Sequence, residues 1–175
     1  RFDVKKAESI NGDHIRLLTP EVFLERCVPY LQSSSLVSDP ITDDQSATLT
    51  EILPFVQERV ALLGEVPSMI AFLFTADDAL EIEDDARKTL GDRSAEVLDA
   101  ALGALEGLEG WDTASLEEVL RDALVERLEV SPRHAFGPLR VAISGRRVSP
   151  PLFESMEVLG RSSSLQRLRA LRQSL

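Results

Sequence analysis

Residues 115–128 read SLEEVLRDALVERL, and their apolar side chains recur every three or four positions. The apolar positions are Leu116, Val119, Leu120, Ala123, Leu124 and Leu128. This spacing places them on one face of an α-helix and the charged residues on the opposite face. We therefore predict an amphipathic helix here, opened by a capping box over residues 115–118.

Helical spacing extends over the rest of the chain, which has no alternating strand pattern and no internal repeat. Hydrophobic residues make up 43% of the sequence and aromatic residues only 5%. Leu and Ala supply most of the apolar side chains, and they lose little rotamer freedom in a helix. The sequence therefore predicts an all-α fold.

Several residues predict where individual helices begin and end. Asn11-Gly12 is expected to stop a first helix over residues 2–16, and Thr19-Pro20 to start the second. A longer helix should run from Asp43 to Gly64, with a kink at Pro54, followed by a short buried helix over 66–74.

Towards the C-terminus, Gly145 is predicted to end a helix that includes residues 138–144. Ser149-Pro150-Pro151 is expected to start the next helix, and Ser164 to cap the last one. The acidic run 77–85 is predicted to be a solvated face near a boundary between two helical subdomains.

Composition excludes several classes of protein. The single cysteine, Cys27, cannot form an internal disulfide and has no Cys or His neighbour at metal-ligand spacing, so we predict a buried thiol and no metal site. No apolar run approaches the ~20 residues needed to span a bilayer, so we expect no membrane partner. We expect a cytoplasmic location. Because the chain begins at Arg1 without a methionine, we expect it to be a fragment.

The charge is unevenly distributed. The net charge is −11, yet residues 131–175 carry eight arginines against two glutamates, a local balance of +6 that leaves −17 for the rest. An acidic body with a basic end can dock one face on a polyanion. Arg167, Arg169 and Arg172 lie in the last helix, and we expect their side chains to face phosphate or solvent.

Residues that would carry catalysis are missing from the sequence. It contains no phosphate-binding glycine loop, no nucleophile with a base and no cluster of metal ligands, so no catalytic residue is assigned. His14 and His134 are predicted to be surface or helix-end residues. The residues alone thus predict a helical interaction module with a basic C-terminal end.

Two stretches add a family resemblance. The first is Phe2-Asp3 followed by Lys6, Asn11-Gly12 and Ile15-Arg16. The second is GPLR at 137–140, SG at 144–145, SPPLFE at 149–154 and LGR at 159–161. Together they resemble the anticodon-binding, C-terminal portion of bacterial-type glutamyl-tRNA synthetases, over essentially the whole chain.

The resemblance implies an all-helical cage in two parts. Residues 1–74 would be a first subdomain following an absent catalytic domain, and residues 75–175 the C-terminal anticodon-binding subdomain. The two ATP-binding motifs of class I synthetases, His-Ile-Gly-His-like and Lys-Met-Ser-Lys-Ser-like, are absent. The fragment is therefore expected to be non-catalytic and without a cofactor, whereas its parent would use ATP with Mg to attach glutamate to tRNA(Glu).

The resemblance also implies RNA-binding residues. Arg59 matches an arginine that reads the third anticodon base, and Arg140 one that contacts the first base. Ser149, Pro150 and Leu152 match a loop that packs around that first base. Because the family often has glycine where Pro151 stands, a backbone N–H contact could be lost there. Each residue also has a plainer interpretation, as a surface arginine or as a capped helix start.

The expected partner is thus the anticodon loop of tRNA(Glu), bound by a monomer. The alternative function is a stand-alone helical adaptor, whose acidic face binds basic proteins while its arginines only balance charge. The sequence does not decide whether the parent also charges tRNA(Gln).

Overall fold

The computed structural model describes residues 3–175, and these residues form helices without any β-strand. The predicted all-α fold is confirmed. Arg1 and Phe2, which belong to the expected chain start and to the first family motif, lie outside the described residues. The chain divides into two compact units, Arg1–Phe74 and Thr75–Leu175.

The described part of the first unit, residues 3–74, contains four α-helices. They are α1 (Val4–Arg16), α2 (Pro20–Ser33), α3 (Asp43–Gln57) and α4 (Val66–Ile70), with 3-10 turns at Leu63–Glu65 and Ala71–Phe74. Its core is built from the fully buried side chains of Phe23, Cys27, Leu31, Leu49, Ile52, Val56, Val66 and Ile70. The predicted burial of Cys27 is therefore confirmed.

Local capping explains the start of α2. The Thr19 side chain accepts a hydrogen bond from the Val22 N–H at 3.4 Å, and Pro20 occupies the first helical position, where no N–H is needed. This start was predicted correctly.

The Asn11-Gly12 pair does not stop α1, and this prediction was wrong. The helix continues through both residues to Arg16, because both residues contact a distant segment of the chain instead of ending the helix. Asn11 donates its side-chain N–H to the carbonyl of Ala61. Gly12 is buried, and a Cβ there would meet the Arg16 guanidinium at 3.4 Å and the Ala61 Cα at 3.5 Å, which are ordinary van der Waals distances. Both residues thus pack against the segment at Ala61.

The end of α3 also differs from the prediction. The helix ends at Gln57 rather than near Gly64, and Pro54 lies inside it. The buried Gln57 side chain donates to the carbonyls of Ile15 and Leu18, at 2.8 and 2.9 Å. These bonds satisfy two carbonyl groups at the α1–α2 turn.

The second unit contains six α-helices. They are α5 (Asp84–Arg87), α6 (Ser94–Glu106), α7 (Thr113–Arg121), α8 (Pro132–Ser144), α9 (Leu152–Leu159) and α10 (Arg161–Gln173). A 3-10 turn covers Asp77–Ala79, and a π-helical segment, Asp122–Arg127, continues α7. Its core includes the fully buried Leu98, Leu105, Leu116, Leu120, Leu124, Leu139, Met156 and Leu168.

The stretch 115–128 is helical as predicted, but its cap and its regularity differ. Asp112, not Ser115, caps α7, and its carboxylate accepts a hydrogen bond from the Ser115 N–H at 3.0 Å. After Arg121 the wider π geometry begins, and the Leu128 N–H bonds to the Ala123 carbonyl. Leu124 is fully buried in this segment, whereas Ala123 and Leu128 are half-buried.

Three glycine and serine predictions had different outcomes. Gly145 ends α8 in the left-handed region with φ of 70°, as predicted. Ser164 is not the cap of α10, because Gly160 with φ of 86° precedes the helix and Ser164 is buried in its first turn. Ser149 does not cap α9, which begins at Leu152 after Pro151 without a side-chain cap.

Candidate nucleic-acid interface

Arg140 lies near the end of α8 and is half-buried. Its Nη1 donates to Ser149 Oγ at 2.8 Å and to the Pro150 carbonyl at 2.9 Å. Ser149 and Pro150 are themselves buried. The structure therefore brings three of the five predicted site residues together, because a guanidinium presents several donors in a rigid fork.

The other two predicted residues have different surroundings. Leu152 is the first residue of α9 and is only 5% exposed, so most of its side chain packs in the core of the second unit. Arg59 belongs to the first unit, is exposed, and follows the end of α3 by two residues. Its Nη1 donates to the Phe55 carbonyl at 3.3 Å.

A groove of about 1050 Å³ lies in the second unit, and Arg140 is one of its lining residues. Its cationic side chains are Lys88, Arg93, Arg133, Arg140 and Arg147. Two carboxylates, Asp92 and Glu129, also line it. We call this surface the basic groove. Five cations against two carboxylates give the lining residues a net charge of 5 − 2 = +3, in a protein whose net charge is −11, and an excess of positive charge attracts anionic ligands.

An aromatic ring is fixed in the wall of the basic groove. Phe136 lines it and packs edge-to-face against Phe153, with ring centroids 5.3 Å apart. The Arg121 guanidinium lies 5.8 Å from the centre of the Phe136 ring. Because these contacts hold the ring in place, it offers a rigid apolar surface beside the cations.

Of the three arginines of α10, Arg167 does not face solvent or phosphate as predicted, whereas Arg169 and Arg172 remain at least partly exposed. Arg167 is 2% exposed and binds Asp77 at 2.6 Å, while its remaining nitrogens donate to backbone carbonyls of Ile143 and Thr75. Such a buried guanidinium needs this full set of partners.

The other two arginines of α10 are also paired. Arg169 lies 3.3 Å from Glu106, and Arg172 binds both oxygens of Asp99, at 2.7 and 2.9 Å. The Arg172 guanidinium lowers the pKa of the Asp99 carboxyl. Much of the basic C-terminal end is therefore neutralised within its own unit.

The acidic run 77–85 is only partly a solvated face, which corrects the prediction. Asp77 is paired with the buried Arg167, and Glu83 forms an ion pair with Arg146. The Glu83 N–H also donates to the Gly145 carbonyl at 2.9 Å. The run thus supplies counter-charges to arginines that are distant in sequence, whereas Asp84 and Asp85 stay exposed.

Sequence reasoning missed Lys88, Arg133 and Arg147 as candidate ligand contacts. Arg147 lies inside the stretch that carries the family resemblance, so its position was a usable signal. Lys88 follows an acidic segment, and nothing in the local sequence indicates that it lines a groove with residues 45 to 59 positions further on.

Three other properties of the described residues concern metal binding, thiol chemistry and membranes. Within residues 3–175, no group of three or more His, Cys, Asp or Glu side chains is arranged to hold a metal ion. Burial raises the pKa of the Cys27 thiol to about 12, so it stays protonated at neutral pH. No helix in this range combines the length and apolarity needed to cross a membrane.

An all-helical protein with a basic groove beside an arginine-clamped loop belongs structurally among helical binding modules. Comparison with known proteins specifies the family. Residues 22–172 match the family described as "Anticodon binding domain". The chain therefore belongs to the anticodon-binding domain family, and the comparisons give no support to the adaptor alternative.

Close sequence relatives are glutamate–tRNA ligases. The chain is 57% identical over 172 residues to that of Paenarthrobacter aurescens (strain TC1), covering 98% of this chain and 34% of the relative. It is 56% identical over 175 residues to that of Kineococcus radiotolerans, covering 100% of this chain and 35% of the relative. The chain thus spans about a third of the length of these relatives.

A solved structure shows the same fold. The glutamate tRNA ligase from Elizabethkingia meningosepticum, determined in complex with its amino acid, superposes with a TM-score of 0.79 at 20% identity. The match covers 100% of this chain and 33% of that one.

Proposed function

We propose that this chain is the tRNA-binding region of a glutamate–tRNA ligase and that it recognises the anticodon loop of tRNA(Glu). The observation that carries the proposal is the family match over residues 22–172, together with relatives that are glutamate–tRNA ligases. The clamp of Arg140 on the 149–150 loop, beside the basic groove, supplies a physical reason.

Recognition of the first anticodon base is assigned to Arg140, Ser149, Pro150 and Leu152. Unstacked bases of an RNA loop expose edges that side chains and backbone groups can bind. Here Arg140 holds the 149–150 segment by two short hydrogen bonds, so it positions the loop as well as carrying charge. Leu152 is buried, and we assign it the floor of this site rather than its contact surface.

Recognition of the third anticodon base is assigned to Arg59. Its exposed guanidinium makes only one long hydrogen bond, to the Phe55 carbonyl, which a stronger ligand can replace. A guanidinium can place two parallel donors on the edge of a base.

The parent protein would be a class I aminoacyl-tRNA synthetase that uses ATP with Mg to attach glutamate to tRNA. We assign those reactions to a part of the parent beyond this chain, because the sequence contains neither ATP-binding motif. The chain itself would bind RNA without a cofactor, as a monomer in the cytoplasm. Purified chain should therefore show no ATP–pyrophosphate exchange, and measurable adenylate formation would contradict this assignment.

Titration with tRNA tests the proposed function. Labelled tRNA(Glu) and a copy with a swapped anticodon are titrated with the 175-residue chain at several salt concentrations. We expect tighter binding of tRNA(Glu) and a steep loss of affinity with salt, because bound cations displace counterions from phosphates. Failure to bind tRNA even at low salt would contradict the proposal and favour the adaptor alternative.

A further inference from the structure

Most cations of the second unit are already used within the unit. Residues 75–175 contain thirteen lysines and arginines. Nine of them bind carboxylates, carbonyls or hydroxyls of the same unit, as Arg146, Arg167 and Arg172 illustrate. A cation that is paired in this way has less attraction left for an external anion.

Four cations in residues 75–175 have no ion-pair or hydrogen-bond partner for their side chains among the described residues. They are Arg87, Lys88, Arg133 and Arg147, and all four are exposed. Three of the four, Lys88, Arg133 and Arg147, line the basic groove. They come from three separate segments: the end of α5, the first turn of α8 and the loop after Gly145. The fold thus gathers three of these four cations along one groove.

We propose that Lys88, Arg133 and Arg147 form a backbone subsite that binds the phosphates of the RNA strand entering the base-recognition site at Arg140. The proposal rests on the proposed function and adds the place where the RNA backbone lies. Arg140 lines the same groove and clamps the 149–150 loop, so the phosphate contacts and the base contacts would be continuous.

An RNA strand suits the basic groove better than an acidic protein does. A strand carries one charge per nucleotide, which matches exposed cations spread along a surface rather than a single pocket. The groove wall also presents the fixed ring of Phe136, and a base can stack on an aromatic side chain.

Salt-dependent binding of variants tests this subsite. The groove variant carries Lys88→Ala, Arg133→Ala and Arg147→Ala together. The matched control carries Arg127→Ala, Arg169→Ala and Arg172→Ala, which removes the same charge from cations that lie outside the groove lining, are at least partly exposed and are paired with carboxylates. Circular dichroism and thermal unfolding confirm that each variant is folded. Each is titrated with tRNA(Glu) and with the anticodon-swapped tRNA at several salt concentrations.

The groove variant should bind both tRNAs more weakly by a similar factor. Its slope of log affinity against log salt should be flatter than that of the unsubstituted chain by about two units, at roughly 0.7 per lost contact to a single strand. The control should change the slope by less than one unit. Removing a negative charge from the basic groove should have the opposite effect on affinity. Asp92→Asn should therefore tighten binding of both tRNAs.

Three outcomes would overturn the subsite. The first is an equal change of salt slope in the groove variant and the control variant. The second is a groove variant that binds only one of the two tRNAs more weakly. The third is poly-glutamate that competes with tRNA for the unsubstituted chain at similar concentration. Each is distinguishable from failure of the proposed function, in which the unsubstituted chain would bind no tRNA at all.

Discussion

Replacing Arg140 with alanine separates base recognition from general attraction to phosphate. The substitution removes the donor that holds Ser149 Oγ at 2.8 Å and the Pro150 carbonyl at 2.9 Å. It also removes one positive charge from the basic groove. If Arg140 recognises the first anticodon base, the loss should fall mainly on the tRNA that carries the glutamate anticodon.

The size of the effect is set by the proposed hydrogen bond from the Arg140 guanidinium to the base. A hydrogen bond from a charged group contributes about 1.5–3 kcal/mol, and Arg140 is only half-buried, so we take the lower part of this range. A loss of about 2 kcal/mol corresponds to about 30-fold weaker binding of tRNA(Glu). Arg140→Lys should recover part of this loss at most, because a lysine keeps the charge but not the planar fork.

The assay is a titration of cognate and anticodon-swapped tRNA at several salt concentrations, with helical content measured for each variant. A double-mutant cycle with Ser149→Ala identifies the positioning role. If Arg140 acts partly through the loop, the two substitutions should be non-additive by about 0.5 kcal/mol or more. The salt slope should be nearly unchanged by Arg140→Ala, because the base contact displaces few counterions.

Two results would refute this reasoning. Equal losses on both tRNAs, with a salt slope flatter by about one unit, would make Arg140 a phosphate contact. Strict additivity with Ser149→Ala would show that the clamp on the loop has no part in binding.

Three further predictions concern other positions. Arg59→Gln in the full-length parent should relax selectivity at the third anticodon base by about 1–3 kcal/mol, and unchanged relative charging of tRNA(Glu) and tRNA(Gln) would contradict it. Gly145→Ala should destabilise the second unit by about 1–3 kcal/mol in urea unfolding, because φ is 70° and a Cβ would collide with the Glu81 carbonyl. Since its pKa is raised to about 12, Cys27 should react with thiol reagents at pH 8 only as fast as the chain unfolds, and fast labelling of the folded chain would show it is accessible.

Features that depend on neighbours in sequence were predictable. The apolar spacing of 115–128, the Thr19-Pro20 start and the Gly145 stop each reflect interactions within one or two helical turns, and the structure confirms all three. The family resemblance of the 137–161 stretch is of the same kind, because a continuous motif needs no knowledge of the fold. The roles of Arg59, Arg140 and the 149–152 loop stay predictions.

Features that depend on distant partners were decided only by the tertiary structure. Asn11-Gly12 has the composition of a helix stop, yet the helix continues through it, and the pair packs against Ala61, whose carbonyl accepts a hydrogen bond from Asn11. The cluster of arginines in 131–175 suggests a uniformly basic end, but Asp77 and Asp99, far away in sequence, neutralise Arg167 and Arg172.

The composition of the basic groove also depends on residues that are distant in sequence. A count of charges treats every arginine alike, whereas folding pairs most of them and leaves Lys88, Arg133 and Arg147 exposed along one surface. Which cations remain available is set by the carboxylates that the fold brings within about 4 Å, since the attraction between two charges falls with distance and with solvent exposure. The sequence by itself determined the helical class and the family, and the packing of the helices decided which cations stay exposed and unpaired.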